Sequence, residues 1–197
     1  MLNIILFGSP GSGKGTQSGN IINKYKLCHL ATGDILRSEI ADSTKLGLAA
    51  KNYIDNGELV PDNLVINIIR ERINHCTKCK GFIFDGFPRT ILQAEALDNI
   101  LKENQSSISL MLELNVDHKE LVKRIINRGI TEGRSDDTNL QIIEKRMKIY
   151  HQETKPLIDY YHAQGKFHSI RGMGEMDDIF KQICHVISIK AGSSMTD

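Results

Sequence analysis

Met1-Leu2-Asn3-Ile4-Ile5-Leu6-Phe7 runs straight into Gly8-Ser9-Pro10-Gly11-Ser12-Gly13-Lys14-Gly15-Thr16. The apolar run has the length of one buried strand, and the pattern beyond Gly15 turns helical. Strand, Gly-x-x-x-x-Gly-Lys and helix in succession define a phosphate-binding loop, because each part has a physical task. The glycines let the backbone curl with its N–H groups turned inward. The helix adds its unpaired first-turn donors and the positive end of its dipole. Lys14 brings a mobile point charge for the outer phosphates. Gly11, Ser12, Gly13, Lys14, Gly15 and Thr16 are thus the candidate cradle for a nucleoside triphosphate.

The loop departs from the common pattern at one position. Gly15 stands where a magnesium-binding Ser or Thr usually follows the lysine, and the hydroxyl comes at Thr16. That substitution implies a metal held differently from the one in GTPases or motor ATPases.

A chain of 197 residues, 40% apolar and 25% charged, suits one globular domain. No apolar stretch approaches the roughly 20 residues of a membrane span, and no basic segment precedes the first apolar run, so a cytoplasmic protein is expected. A net charge of +1 argues against a nucleic-acid surface. The arginines say more than that total. Arg37, Arg89, Arg124, Arg128, Arg134 and Arg146 sit beside glycines, aspartates or turn signals, and a planar guanidinium suits phosphate recognition. Of the cysteines, Cys28 and Cys184 read as small core residues. Cys76-x-x-Cys79 reads as a coincidence at a helix end, since no second pair follows at zinc-finger spacing. Free thiols are expected.

Residues 81–86 and 108–114 read as further buried strands, with shorter ones at 28–30 and 166–170. Helical patterns cover 16–25, 61–74, 91–103, 119–128, 138–164 and 177–189. This alternation predicts a doubly wound α/β parallel sheet, whose ligands bind at the carboxyl ends of the strands. Residues 31–60 hold two helical pieces and no strand, which marks a helical insertion. Residues 129–137 read as a polar loop, and the segment after Lys190 as a frayed tail.

Three further constellations point to phosphate chemistry. Phe82-Ile83-Phe84-Asp85 is an apolar strand ending in a carboxylate suited to hold magnesium through water. Gly86-Phe87-Pro88-Arg89-Thr90, followed by Gln93, is a rigid turn that presents Arg89 at the edge of the sheet. Arg124 and Arg128, one helical turn apart, repel unless an anion lies between or above them. Arg134 from the 129–137 loop and Arg146 from the next helix complete what reads as a closing clamp for phosphoryl transfer. In Ala31-Thr32-Gly33-Asp34-Ile35-Leu36-Arg37, Thr32 or Asp34 is a candidate helix cap, and Arg37 a candidate anion ligand.

Taken in order, the loop Gly8–Gln17 and the segments Thr32–Arg37, Asp85–Thr90, Gly133–Asp137 and Lys145-Arg146 resemble the adenylate kinases over residues 2 to about 190. Gly-Lys-Gly-Thr is also that family's form of the loop. The resemblance implies reversible phosphoryl transfer from Mg-ATP to AMP, giving two ADP, by a monomeric enzyme. It further implies a five-stranded sheet, with a core of 1–30, 61–127 and 139–190, an AMP-binding insertion at 31–60, a short lid at 128–138 and a flexible tail at 191–197. Lys14, Arg89, Arg124, Arg128, Arg134 and Arg146 would be catalytic, with Arg124 and Arg128 also on ATP. Thr32, Arg37, Glu58, Leu59, Val60, Gly86, Phe87, Arg89 and Gln93 would hold AMP, with Arg134 and Arg146 spanning both nucleotides. Gly174 would line the adenine of ATP. Asp85 is the candidate for Mg2+, and no structural zinc is expected in so short a lid. UMP/CMP kinase is the nearest rival, disfavoured by Thr32 and Thr90 at positions where that relative usually carries Ala and Asn. A catalytically silent nucleotide-binding module is the rival of another kind, and the full set of cations speaks against it.

Overall fold

Asn3 and the apolar residues that follow it organise the sheet. In the computed structural model, which describes residues 1–76 and 79–193, strand β1 (Ile4–Phe7) is buried along its whole length. It lies between β3 (Phe82–Asp85) and β4 (Leu110–Asn115), with β2 (Cys28–Ala31) outside β3 and β5 (Phe167–Arg171) outside β4. All four pairings are parallel. Ile4 and Leu6 face one layer, with Ile21, Ile179, Ile183 and Ile187. Ile5 and Phe7 face the other, with Phe84, Leu97, Ile100 and Tyr161. Burial on both faces is why the strands read as unbroken apolar runs rather than as alternations.

Helices α1 (Lys14–Tyr25) and α9 (Met176–Ser193) cover the first face. Helices α4 (Asp62–His75), α5 (Ile91–Glu103) and α8 (Leu157–Ala163) cover the second. Between β2 and α4 the chain inserts α2 (Thr32–Ala41) and α3 (Lys45–Asp55), the two helical pieces expected there. No described helix is long and apolar enough to cross a membrane. The expected frayed tail is helical up to Ser193, and residues 194–197 lie outside the described residues.

Three expectations need correction. Helix α6 (His118–Glu132) continues through Gly129, so the polar loop expected at 129–137 is helical in its first part. Gly129 acts here as a contact surface and not as a breaker. A Cβ on it would stand 2.7 Å from the Asp137 carbonyl oxygen, so only glycine lets the returning chain lie against the helix. The helix expected over 138–164 is divided into α7 (Leu140–Ile149), a π-helical turn at Tyr150–Thr154, and α8. Pro156 has no N–H to carry the ladder across that junction. Finally, the free thiols expected at Cys28 and Cys79 are not what the structure holds. These two are paired as a disulfide at the edge of the sheet, with the Cys76 sulfur against them, and Cys184 is the free cysteine.

Asn3 is fully buried and ties three strands together at their amino ends. Its amide nitrogen donates to Ser106 Oγ (2.8 Å) and the Ser107 carbonyl (2.9 Å), and its Oδ1 accepts from the Phe82 N–H (3.1 Å). Asn3→Ala removes these three hydrogen bonds and leaves a small void, while the Phe82 N–H keeps the Leu2 carbonyl, so it should cost about 1–3 kcal/mol, measurable as a lower urea midpoint with an unchanged slope.

Candidate active site

The carboxyl ends of β1 and β3, where the strand order reverses, open into a cavity of about 680 Å3. This is the position at which an open parallel sheet receives ligands. From the loop, Gly11, Ser12, Gly13, Lys14, Gly15 and Thr16 line it. Thr32, Arg37, Glu58, Leu59 and Val60 enter from the insertion, and Asp85, Gly86, Phe87, Arg89 and Gln93 from β3 and the segment after it. Arg124, Arg128, Arg134 and Arg146 complete the wall. Gly174 lies outside this lining, in the turn between β5 and α9 with φ +109°.

Helix α1 begins at Lys14, capped by Gly13 in a left-handed conformation with no side-chain cap and no acidic residue in its first turn. Its leading N–H groups therefore face the cavity without a competing carboxylate, which suits an anion. The Lys14 ammonium donates to the Gly8 and Ser9 carbonyls at 2.7 and 3.0 Å. Burial lowers its pKa to about 8, against the opposing pull of Asp85, and Arg89, Arg128 and Arg146 push it further down. Excess positive charge at this point is what a polyphosphate would relieve.

Gly86 is the hub of the next wall. Its carbonyl accepts from Thr32 Oγ1 at 2.9 Å and from Arg89 Nε at 2.8 Å, joining the insertion to the strand end. With φ +75°, and with Arg89 and Thr32 side-chain atoms 3.0 and 3.1 Å from where a Cβ would sit, the position admits glycine alone without strain. The hydroxyl of Thr32 is thus committed to Gly86, and Ala31 is the N-cap of α2. The capping role expected of Thr32 or Asp34 is not the one they take. Asp34 instead pairs with Arg37 at 2.6 Å, one turn along the helix. Arg89 takes part in no ion pair among the described residues. Burial, followed by repulsion from Arg146, draws its pKa down to about 10.

Gln93 is 2% exposed and held at both ends of its amide. Its oxygen accepts from the Arg89 N–H (2.8 Å) and its nitrogen donates to Asp62 Oδ1 (2.7 Å). One donor and one acceptor position of the amide remain. Thr154, on the π-helical turn, donates to the Arg89 carbonyl at 2.9 Å, so the irregular stretch of helix serves to pin the arginine's backbone.

On the remaining wall the repulsion expected between Arg124 and Arg128 is relieved by carboxylates of the protein itself. Arg124 Nε donates to Glu120 at 2.8 Å, and Arg128 donates to both oxygens of Asp137 at 2.6 and 3.1 Å. Asp137 is fully buried and also receives Arg146, which reaches Asp136 at 2.8 Å as well. Burial pushes the Asp137 carboxyl up, but the Arg128 hydrogen bond and the charge of Arg146 outweigh it and hold it below the usual carboxylate range. Arg128 is raised in turn: burial opposes its charge, and Asp137 more than compensates. The segment after α6 and helix α7 also meet the insertion here. Arg134 stands 3.9 Å from Asp34, and Lys145 pairs with Glu58 at 2.6 Å.

Sequence reasoning named the cations of this site but gave no task to Asp62, Asp136, Asp137 or Thr154. The only signal for the aspartates was their place beside Arg134 and just after Pro61, and nothing in the sequence marked Thr154.

A phosphate loop at the switch point of a parallel sheet, facing Asp85 and a wall of guanidiniums, places the chain among the P-loop nucleotide-binding α/β proteins. The family model described as Adenylate kinase matches residues 6–166. Relatives named adenylate kinase share 51% identity with this chain in Bacteroides thetaiotaomicron, over 95% of this chain and 98% of theirs. In Phocaeicola vulgatus the identity is 52%, over 93% and 96%. In Parabacteroides distasonis it is 49%, over 95% and 98%. The chain belongs to the adenylate kinase family.

The depressed Lys14 gives this site a pH signature. Between pH 8 and the ordinary lysine value of 10.5 the folded chain has lost a proton that the unfolded chain keeps. Lys14 therefore weighs against folding below pH 8, and that penalty fades as pH rises through the window. Denaturant unfolding at pH 8 and pH 10 should show wild type gaining stability relative to Lys14→Met.

Proposed function

We propose that the chain transfers a phosphoryl group reversibly from Mg-ATP to AMP, yielding two ADP, with the residue roles that the cavity suggests. The observation carrying this reading is the convergence of Lys14, Arg89, Arg124, Arg128, Arg134 and Arg146 on one cavity bounded by both the phosphate loop and the α2–α3 insertion. Two nucleotides approaching from opposite sides would bring their phosphates together among these cations. Phosphoryl transfer asks mainly for such positioning and charge stabilisation.

The α1 amino terminus and Lys14 take the donor's phosphates, and Arg124 and Arg128 reach the transferring group. Arg37 and Arg89 hold the AMP phosphate, while Gln93 offers its remaining donor and acceptor to the adenine edge. Gly174 would line the donor's base. The acceptor phosphate is already ionised, so no general base is needed. Asp137 acts through Arg128 and Arg146: as a buried anion it holds both guanidiniums charged and aligned before substrate arrives. Residues 128–138 serve as a lid that excludes water as it closes over residues 31–60, which keeps the phosphoryl group from hydrolysis.

Magnesium arrives with the donor. Asp85 is a hard oxygen donor at the end of β3, and its carboxylate makes no side-chain hydrogen bond among the described residues, which fits a role in holding the ion's water. The ion's part is to offset charge on the donor's phosphates. We take the enzyme to be a cytoplasmic monomer, consistent with the family and the absence of a membrane-spanning described helix.

A coupled assay for ADP should show AMP preferred over CMP and UMP at equal concentration; preference for a pyrimidine would overturn the acceptor assignment. Arg89→Ala should lower kcat/KM by about 10²–10³-fold with little change in unfolding. Asp137→Ala frees Arg128 and Arg146 from their shared anchor. It should lower kcat more than it raises the KM for AMP, and a steady-state comparison with wild type checks this.

A further inference from the structure

The carboxyl ends of the strands carry the nucleotide site, and a second chemically distinct cluster lies at their amino ends. Cys28 opens β2 opposite Phe82, at the far end of a pairing that finishes with Ala31 opposite Asp85. The cluster is thus about 10 Å along the strands from the cavity, at about 3.3 Å per residue. Cys76 is the C-cap of α4, and Cys79 lies shortly before β3. All three are half-buried, and their sulfurs lie within 4.8 Å of one another. The Cα atoms of Cys28 and Cys76 each stand 5.9 Å from that of Cys79, and the Cys28 and Cys76 sulfurs are 3.0 Å apart.

The structure pairs Cys28 with Cys79 as a disulfide and leaves Cys76 in contact with both sulfurs and no bond of its own to make, an arrangement that holds only for the oxidised chain. A shared cation accounts for all three. The sequence spacing also fits: Cys76 and Cys79, three residues apart, have the usual half-site spacing of a thiolate metal site, and β2 supplies the third ligand from a separate strand. The carboxyl end of α4 adds negative potential where Cys76 sits, which favours a cation and disfavours uncompensated thiolates. Solvent has access to the half-buried cluster and can fill a fourth position.

We propose that Cys28, Cys76 and Cys79 form a binding site for a thiophilic d10 cation, with Zn2+ the ion of first choice. Each cysteine gives its S–H proton to solvent as its sulfur coordinates, and no electron is exchanged. The ion would join β2, the end of α4 and the segment leading into β3. Since β2 and α4 flank the α2–α3 insertion, this staple would steady the frame on which that insertion moves. It would raise thermal stability and leave turnover nearly unchanged.

The test uses the full-length chain, reduced, stripped with chelator and titrated with Cd2+ and Zn2+. Wild type should bind one Cd2+ per chain with thiolate-to-metal charge-transfer absorption, and Zn2+ should displace it and raise Tm in a concentration-dependent way. Cys28→Ser, Cys76→Ser and Cys79→Ser should each weaken binding at least tenfold, and Cys184→Ser should not. ADP formation within twofold of wild type by the metal-free variants shows that they are folded. Undiminished binding by Cys28→Ser would overturn the three-ligand site. So would an absence of metal binding by the reduced chain, with one disulfide forming when reductant is withdrawn, since that outcome assigns the cluster to thiol exchange.

Discussion

Asp137 holds Arg128 and Arg146 on one fully buried carboxylate, and the site depends on that attraction. Guanidiniums drawn into one cavity repel one another, and burial adds a desolvation cost to each. The chain answers with anions paired to the cations: Glu120 with Arg124, Asp34 with Arg37, Asp136 with Arg146, and Asp137 with both Arg128 and Arg146. Each of these cations keeps an anion beside it while it faces the cavity. Among the described residues Lys14 and Arg89 form no ion pair, and both are depressed from their ordinary values. The positive charge left over is concentrated at the phosphate loop and the β3 turn.

The remainder of the fold supplies rigidity where these charges need it. β1 and β3 sit side by side in the sheet, so the phosphate loop and the Asp85–Arg89 turn leave it as neighbours. The Gly86 carbonyl then binds the insertion and Arg89 together. Val116, with Leu121 and Ile125 of α6 and Ile143 and Met147 of α7, forms a small core apart from the two layers that flank the sheet. That separate core holds α6 and α7 together and so sets their arginines at a common spacing.

Much of this was legible in the chain. The runs read as strands at 1–7, 81–86 and 108–114 contain the observed 4–7, 82–85 and most of 110–115, because both faces of a parallel sheet are buried and little alternation blurs them. Helix α5 begins and ends where its pattern says, with Thr90 capping it through the Gln93 N–H. The break after Ile149 was hidden, because a π-helical turn keeps the apolar spacing of a helix almost intact, and Pro156 alone marked it. Gly129 misled in the opposite sense. A glycine inside a helical pattern looks like an end, whereas its use here is a backbone approach between segments eight residues apart.

Local chemistry is what a sequence states for itself. The loop, the run of apolar residues before it and each arginine beside its turn are bonded neighbours, and their meaning survives without coordinates. Pairings between distant residues are another matter, since only the strand order β2-β3-β1-β4-β5 decides which segments share an edge. Asp62 under Gln93, Thr154 under Arg89 and Cys28 beside Cys76 and Cys79 are separated by 31, 65 and 48 to 51 residues. The phosphate loop was written in sixteen consecutive residues. The anions that steady its arginines, and the meeting of the cysteines at the other end of the sheet, were settled by the packing of whole elements, because burial and Coulomb attraction act through space and not along the chain.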